Sequence, residues 1–105
     1  MSDSFFTDAE LDNLRKISKE EIGELIEELK GESGAAGAAA NAWAEAAHRK
    51  FHKITGSAGV AGLVEIGELA AEAESLSDPE NGPPDKSAFI RIHKIVGSIE
   101  RLLKA

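Results

Sequence analysis

Residues 43–62, WAEAAHRKFHKITGSAGVAG, decide how this chain is read. Alanine, lysine, arginine and glutamate favour helix here, and the apolar residues return every three or four positions. On a wheel of about 100° per residue, Trp43, Ala47, Phe51, Ile54 and Ala58 share one side, about 140° away from His52. The spacing therefore predicts a helix from about Ala38 to about Ala58 that buries those five residues and turns His52 outward. Gly56 follows His52 by four residues and Gly59 by three more. Glycine inside a helix costs about 1 kcal/mol relative to alanine. Helical side chains lean toward the N-terminus, so a side chain at 56 would lie over the ring of residue 52. The two glycines are expected to keep space open for something large to approach that ring.

The rest of the chain supplies partners for this helix. Strand-forming residues are scarce, and the composition predicts an all-α fold. Thr7 and Glu10 form a capping-box pattern that opens a short first helix bearing Leu11 and Leu14, with Phe5 and Phe6 pinning the N-terminus to the bundle. Ser18 and Glu21 repeat that signal and predict the start of a second helix with Ile22, Leu25, Ile26 and Leu29 on one stripe. Gly31 to Gly37 is a small-residue break. Gly59 to Gly62 is a joint before a helix carrying Leu63, Ile66, Ala70, Ala73 and Leu76. Residues 77–86, rich in Pro, Gly, Asp and Asn, read as a non-helical loop. Asp85 caps a last helix with Phe89, Ile92, Ile95, Val96, Ile99, Leu102 and Leu103 inward. The expected architecture is an antiparallel four-helix bundle with an additional short N-terminal helix, in one domain spanning 1–105. The stripes suffice for a monomer.

Bulk properties narrow the function. A net charge of −7 has the wrong sign for a nucleic-acid partner. The absence of cysteine removes disulfides and thiolate metal sites and suits a reducing cytoplasm. Neither a secretory leader nor a membrane-spanning run is read. Within this acidic chain, His48, Arg49, Lys50, His52 and Lys53 form a basic island suited to a phosphoryl group or an acidic partner surface. Glu45, His48, Arg49, Thr55, Gly56 and Gly59 fall within about 60° of His52 on the wheel.

No nucleophile elbow or triad accompanies the histidine, and Ser57 falls about 140° away. Gly31–Gly37 lacks the Gly-Lys-Ser/Thr ending of a phosphate-cradling loop, so no ATP site is expected. What remains is a histidine acting as nucleophile toward a phosphoryl group that another protein delivers. An imidazole with its ordinary pKa of about 6.5 is largely neutral at pH 7 and keeps a free lone pair.

His52-Lys53-Ile54-Thr55-Gly56-Ser57-Ala58, with Gly62 beyond, resembles the signature of histidine-containing phosphotransfer (HPt) domains of multistep phosphorelays. The resemblance extends over most of the chain. It implies that His52 is phosphorylated and exchanges the group with aspartates of receiver domains, those of response regulators or of hybrid histidine kinases. It also implies that Gly56 leaves room for the phosphoryl group and the partner's loops. Any Mg2+ would come with the receiver, with no cofactor or metal resident on this chain, which would be a phosphocarrier and not an enzyme. Many family members carry lysine three residues after the histidine. This chain has Thr55 there, and Lys53 and Arg49 are the cations left to face phosphoryl oxygens. Two other readings share these residues. His48 and His52, with Glu45 near, have the i, i+4 spacing of a metal chelate. A phosphate-free adaptor would use the flattened surface to dock a helix. His93 reads as a surface histidine and Trp43 as core opposite His52.

Overall fold

Residues 7–31, 38–82 and 84–105 are described by the computed structural model of the chain, and among them four helices and no strand occur. These are α1 (Asp8–Gly31), α2 (Ala38–Ala61), α3 (Val64–Leu76) and α4 (Lys86–Lys104). α1 packs on α2 and α4, and α3 packs on the same two, with α2 against α3 the most extensive contact. One cluster of buried side chains joins all four, including Ile22 and Ile26 of α1, Phe51 and Ile54 of α2, Ala70 of α3 and Ile95 of α4. The apolar stripes read from the sequence for residues 22–29 and for α2, α3 and α4 face this core, whereas Leu11 and Leu14 are half-buried outside it.

Two caps form as the sequence predicts. The Thr7 amide donates to Glu10 Oε1 at 2.9 Å and the Glu10 amide donates to Thr7 Oγ1 at 3.1 Å, a reciprocal capping box. That main-chain donor and the Thr7 hydroxyl hold the Glu10 carboxyl below its ordinary value. Asp85 accepts from the Ala88 amide at 2.8 Å at the start of α4. Phe5 and Phe6, and residues 32–37 of the expected break, lie outside the described residues.

The separate short N-terminal helix is corrected: residues 8–31 form one continuous helix. The reason is the side chain at position 18. Leu11, Leu14, Ser18, Ile22, Leu25 and Leu29 follow one another at intervals of three or four, so Ser18 continues the core-facing stripe. It is 3% exposed. Its hydroxyl donates across the helix interface to the Ser57 carbonyl at 3.0 Å and lies 2.7 Å from Ser57 Oγ. The carbonyl can only accept, which leaves the Ser57 hydroxyl to donate to Ser18. The serine that resembles an N-cap is therefore a polar joint between α1 and α2.

α2 runs past Ala58 to Ala61, and the turn is confined to Gly62 and Leu63. Gly62 has φ of +73°, a left-handed conformation that a side chain disfavours. The Leu63 amide donates to the Ala58 carbonyl at 2.9 Å and the Gly62 amide to the Gly59 carbonyl at 3.4 Å, the bond pair of a Schellman ending. Arg15 Nε reaches from α1 to donate to the freed Ala61 carbonyl at 3.1 Å. The expected loop 77–86 contains one short 3-10 turn, Pro79–Asn81, capped by Asp78.

Cross-bundle pairs order the helices further. Arg15 meets Ala61, Ser18 meets Ser57 and Lys50 meets Glu28, so α1 and α2 run antiparallel. Arg91 of α4 grips Glu72 of α3 through two contacts of 2.6 and 2.8 Å, and this pairing holds the Glu72 carboxyl below its ordinary value. Lys30 of α1 donates to Glu100 of α4 at 2.6 Å, which lowers the Glu100 pKa and raises that of Lys30.

Candidate functional site

Helix α2 carries the site, and its buried face fixes how the site is presented. Trp43, Ala47, Phe51, Ile54 and Ala58 are all buried, as the wheel expects. The opposite direction belongs to His52, whose side chain is 76% exposed. Gly56 and Gly59 are exposed, and a Cβ built on either meets no other atom within 4 Å. Packing therefore does not require glycine at either position. Their effect is to leave the surface beyond the imidazole flat.

The ring of His52 is not free to rotate without loss. Its Nδ1 lies 2.8 Å from Glu74 Oε2, a carboxylate 23% exposed in the last turn of α3. An ionised carboxylate only accepts hydrogen bonds, so this contact places the proton on Nδ1. Nε2, on the other side of the ring, is then the nitrogen that carries the lone pair. The same residue makes a second contact with α2. His48 Nδ1 lies 2.8 Å from the main-chain carbonyl of Glu74, which again requires Nδ1–H as donor. Both histidines of the i, i+4 pair are thus turned toward α3. Among the described residues no group of three His, Cys, Asp or Glu side chains gathers in a way that could hold a metal ion.

The basic island separates into parts. Arg49 and Lys53 are exposed on α2. Lys50 is corrected out of the island: its side chain is largely covered and its Nζ pairs with Glu28 of α1 at 3.7 Å. Thr55, three residues after His52, is half-buried and spends its proton on the Phe51 carbonyl at 2.9 Å. Its oxygen can still accept, but a phosphoryl group presents only acceptors. Arg49 and Lys53 are thus the exposed cations of α2. Glu45 is exposed on the same helix, one turn before His48.

Apolar surface lies beyond the ring. Ile17, Val60 and Val64 are three of the four large hydrophobic side chains exposed among the described residues, Val60 and Val64 at 66% each. Val60 follows Gly59 on α2 and Val64 opens α3. Ser18 meets Ser57 and Arg15 reaches Ala61, which sets Ile17 beside the same stretch of α2. Between α2 and α3, Gly59, Gly62, Val64, Gly67 and Ala71 help line a shallow, mostly apolar groove.

Glu74 and this apolar surface are what the sequence reading missed. Glu74 stands among the other acidic residues of α3 with nothing local to distinguish it. Its significance depends on the register of α3 against α2, where Gly67 lies against Ala58 and Glu74 reaches His48 and His52. His93 is exposed, as expected, but it is not isolated. Its ring stacks on Phe89 with centroids 4.7 Å apart and lies 6.1 Å from Trp43, on the side of α2 away from His52. Trp43 is core, as expected, with its indole Nε1 buried and without a partner.

Comparison with known families matches residues 13–105 to the family described as Hpt domain. No curated protein and no solved structure matches the chain. The family match covers nearly the whole helical bundle, including the histidine, its two glycines and the α3 carboxylate that faces it. The chain belongs to the Hpt domain family.

Proposed function

We propose that His52 is the phosphoacceptor of this Hpt domain and that it exchanges the group with an aspartate of a receiver domain. Hpt domains are phosphotransfer modules of phosphorelays, not kinases, and they work with receiver domains. The observation that carries the assignment to His52 is its exposed ring, held through Nδ1 by Glu74 beside a glycine that leaves Nε2 open.

In this reading Nε2 attacks phosphorus in line with the bond to the receiver's aspartyl oxygen. The new bond is Nε2–P, the bond that breaks is P–O, and the electron pair leaves with the aspartate carboxylate. Nε2 has no proton to lose, because the proton is on Nδ1. The product ring is cationic, and the Glu74 carboxylate beside Nδ1–H offsets that charge. Arg49 and Lys53 face the phosphoryl oxygens where family members often have a lysine at the position of Thr55. Mg2+ belongs to the receiver's acidic site. Ile17, Val60 and Val64 offer the receiver an apolar footing beyond the ring, of the kind that marks interaction surfaces.

The test is incubation of the chain with phosphorylated receiver domains from the same organism. Acid-labile, base-stable label should pass to the wild-type chain and be absent in His52→Gln. Failure of every receiver to transfer would overturn the proposal and leave a phosphate-independent docking role for the same surface. Label that persists in His52→Gln would move the site elsewhere.

A further inference from the structure

We infer that His48 is a positioning residue for His52, acting through Glu74; the inference rests on the reading of His52 as phosphoacceptor. The carboxylate that orients the His52 ring hangs from the last turn of α3, where main-chain carbonyls lack partners further along the helix. Three carbonyls of that turn, those of Ala73, Glu74 and Ser75, have found substitutes. Ala73 accepts from the Ser77 amide at 3.0 Å and from its hydroxyl at 2.7 Å. Ser75 accepts from Asn81 Nδ2 at 2.9 Å and from the Asp78 amide at 3.3 Å. The Glu74 carbonyl receives the Ser77 hydroxyl at 3.2 Å and, more closely, His48 Nδ1–H at 2.8 Å.

Every donor in this set except His48 comes from the segment that follows α3. Of these carbonyl donors only His48 belongs to α2, and it stands one helical turn before His52. α2 thus holds Glu74 twice, by its main chain through His48 and by its carboxylate through His52. An imidazole on a helix has few torsions, so a half-buried ring that donates to a fixed carbonyl sets the separation of the two backbones at that level. The long, flexible Glu74 side chain then needs only one arrangement to reach Nδ1 of His52. Without His48, the final turn of α3 is held to α2 by packing, and the Glu74 carboxylate loses the polar tie that fixes its base. His52 then spends time with the proton on Nε2, the form that cannot attack phosphorus.

The test uses the full chain labelled with 15N at histidine. Two-bond 1H–15N correlations read which ring nitrogen of His52 carries the proton, and 31P spectra follow phosphorylation by phosphoramidate. In that reaction the bond from phosphorus to ammonia breaks as Nε2–P forms. The wild-type ring should carry its proton on Nδ1. His48→Ala should show mixed tautomers at His52 and phosphorylation about five- to tenfold slower. His48→Asn, whose Nδ2 reaches nearly where Nδ1 of histidine lies, should restore both while remaining as stable as His48→Ala or more so. An unchanged tautomer and rate in His48→Ala would overturn the inference. So would a folded His48→Asn that restores neither. If phosphoramidate leaves His52 of the wild type unmodified, the phosphoacceptor reading fails, and the tautomer comparison still decides the role of His48.

Discussion

At the scale of single residues, what sets His52 apart from an ordinary surface histidine is a contact from another helix. His52 is exposed and would otherwise populate both neutral tautomers. The 2.8 Å contact with Glu74 selects the one with its lone pair on Nε2. Replacing Glu74 with glutamine keeps the size but removes the charge, and its amide can present either a donor or an acceptor to Nδ1. The expected result is phosphotransfer slower by about tenfold, the difference between a charge-assisted and an ordinary hydrogen bond, read as the initial rate of label uptake from a phosphorylated receiver. A rate equal to wild type would show that the carboxylate does not act on the ring. Thr55 has the opposite history. It stands where a cation is common in the family, but its hydroxyl is already committed to Phe51. Thr55→Ala should therefore change the rate little, whereas removal of both Arg49 and Lys53 should slow it.

At the scale of elements, α2 shows how a glycine inside a helix and one just past its end can have opposite meanings. Gly56 has helical backbone and open space around the missing Cβ. Gly56→Ala should stabilise the protein by about 1 kcal/mol, the ordinary difference in helix propensity. It should also slow transfer, because the new methyl stands out from the flat surface that a receiver would cover. Gly62 has φ of +73° and ends the helix. Gly62→Ala should destabilise by about 1–2 kcal/mol, the cost of placing a side chain in left-handed backbone. Urea denaturation followed through Trp43, the single tryptophan, checks both signs. The same element scale explains α1. A helix-start signal at Ser18 is local, but the stripe from Leu11 to Leu29 runs through it without a change of phase. Burial of that stripe outweighs a cap worth about 1 kcal/mol.

At the scale of the whole molecule, the bundle is tied at its surface by carboxylates whose pKa values lie below the ordinary 4.5. Glu10 answers to the Thr7 amide and hydroxyl, Glu72 to the Arg91 guanidinium and Glu100 to the Lys30 ammonium. A group whose pKa falls on folding binds fewer protons in the native state, so stability rises with pH through that range. The contribution is complete above about 4.5 and is lost as pH falls through the lowered values. The urea midpoint should therefore drop on acidification below about pH 4.5. Glu72→Gln should flatten part of that drop, and added salt should weaken it because these pairs are exposed. A midpoint independent of acid in this range would contradict the assigned pairs.

Within this protein, the sequence by itself determined the helices, their buried stripes and the outward direction of His52. Those properties follow from periodicity, which every residue of α2 and α4 carries locally, and from caps such as Thr7 with Glu10 and Asp85 with Ala88. The phosphotransfer signature around His52 and Gly56 is likewise local, so it was legible. What only the tertiary structure decided was every relation between helices. The alignment of α3 against α2 brought Glu74 to His52 and to His48, and the alignment of α1 against α2 turned Ser18 from a cap into a buried joint. The same packing drew Lys50 away to Glu28 and gathered Ile17, Val60 and Val64 on one surface. Those outcomes depend on the relative shift of two helices by a turn or less, which the pattern within either helix alone does not specify.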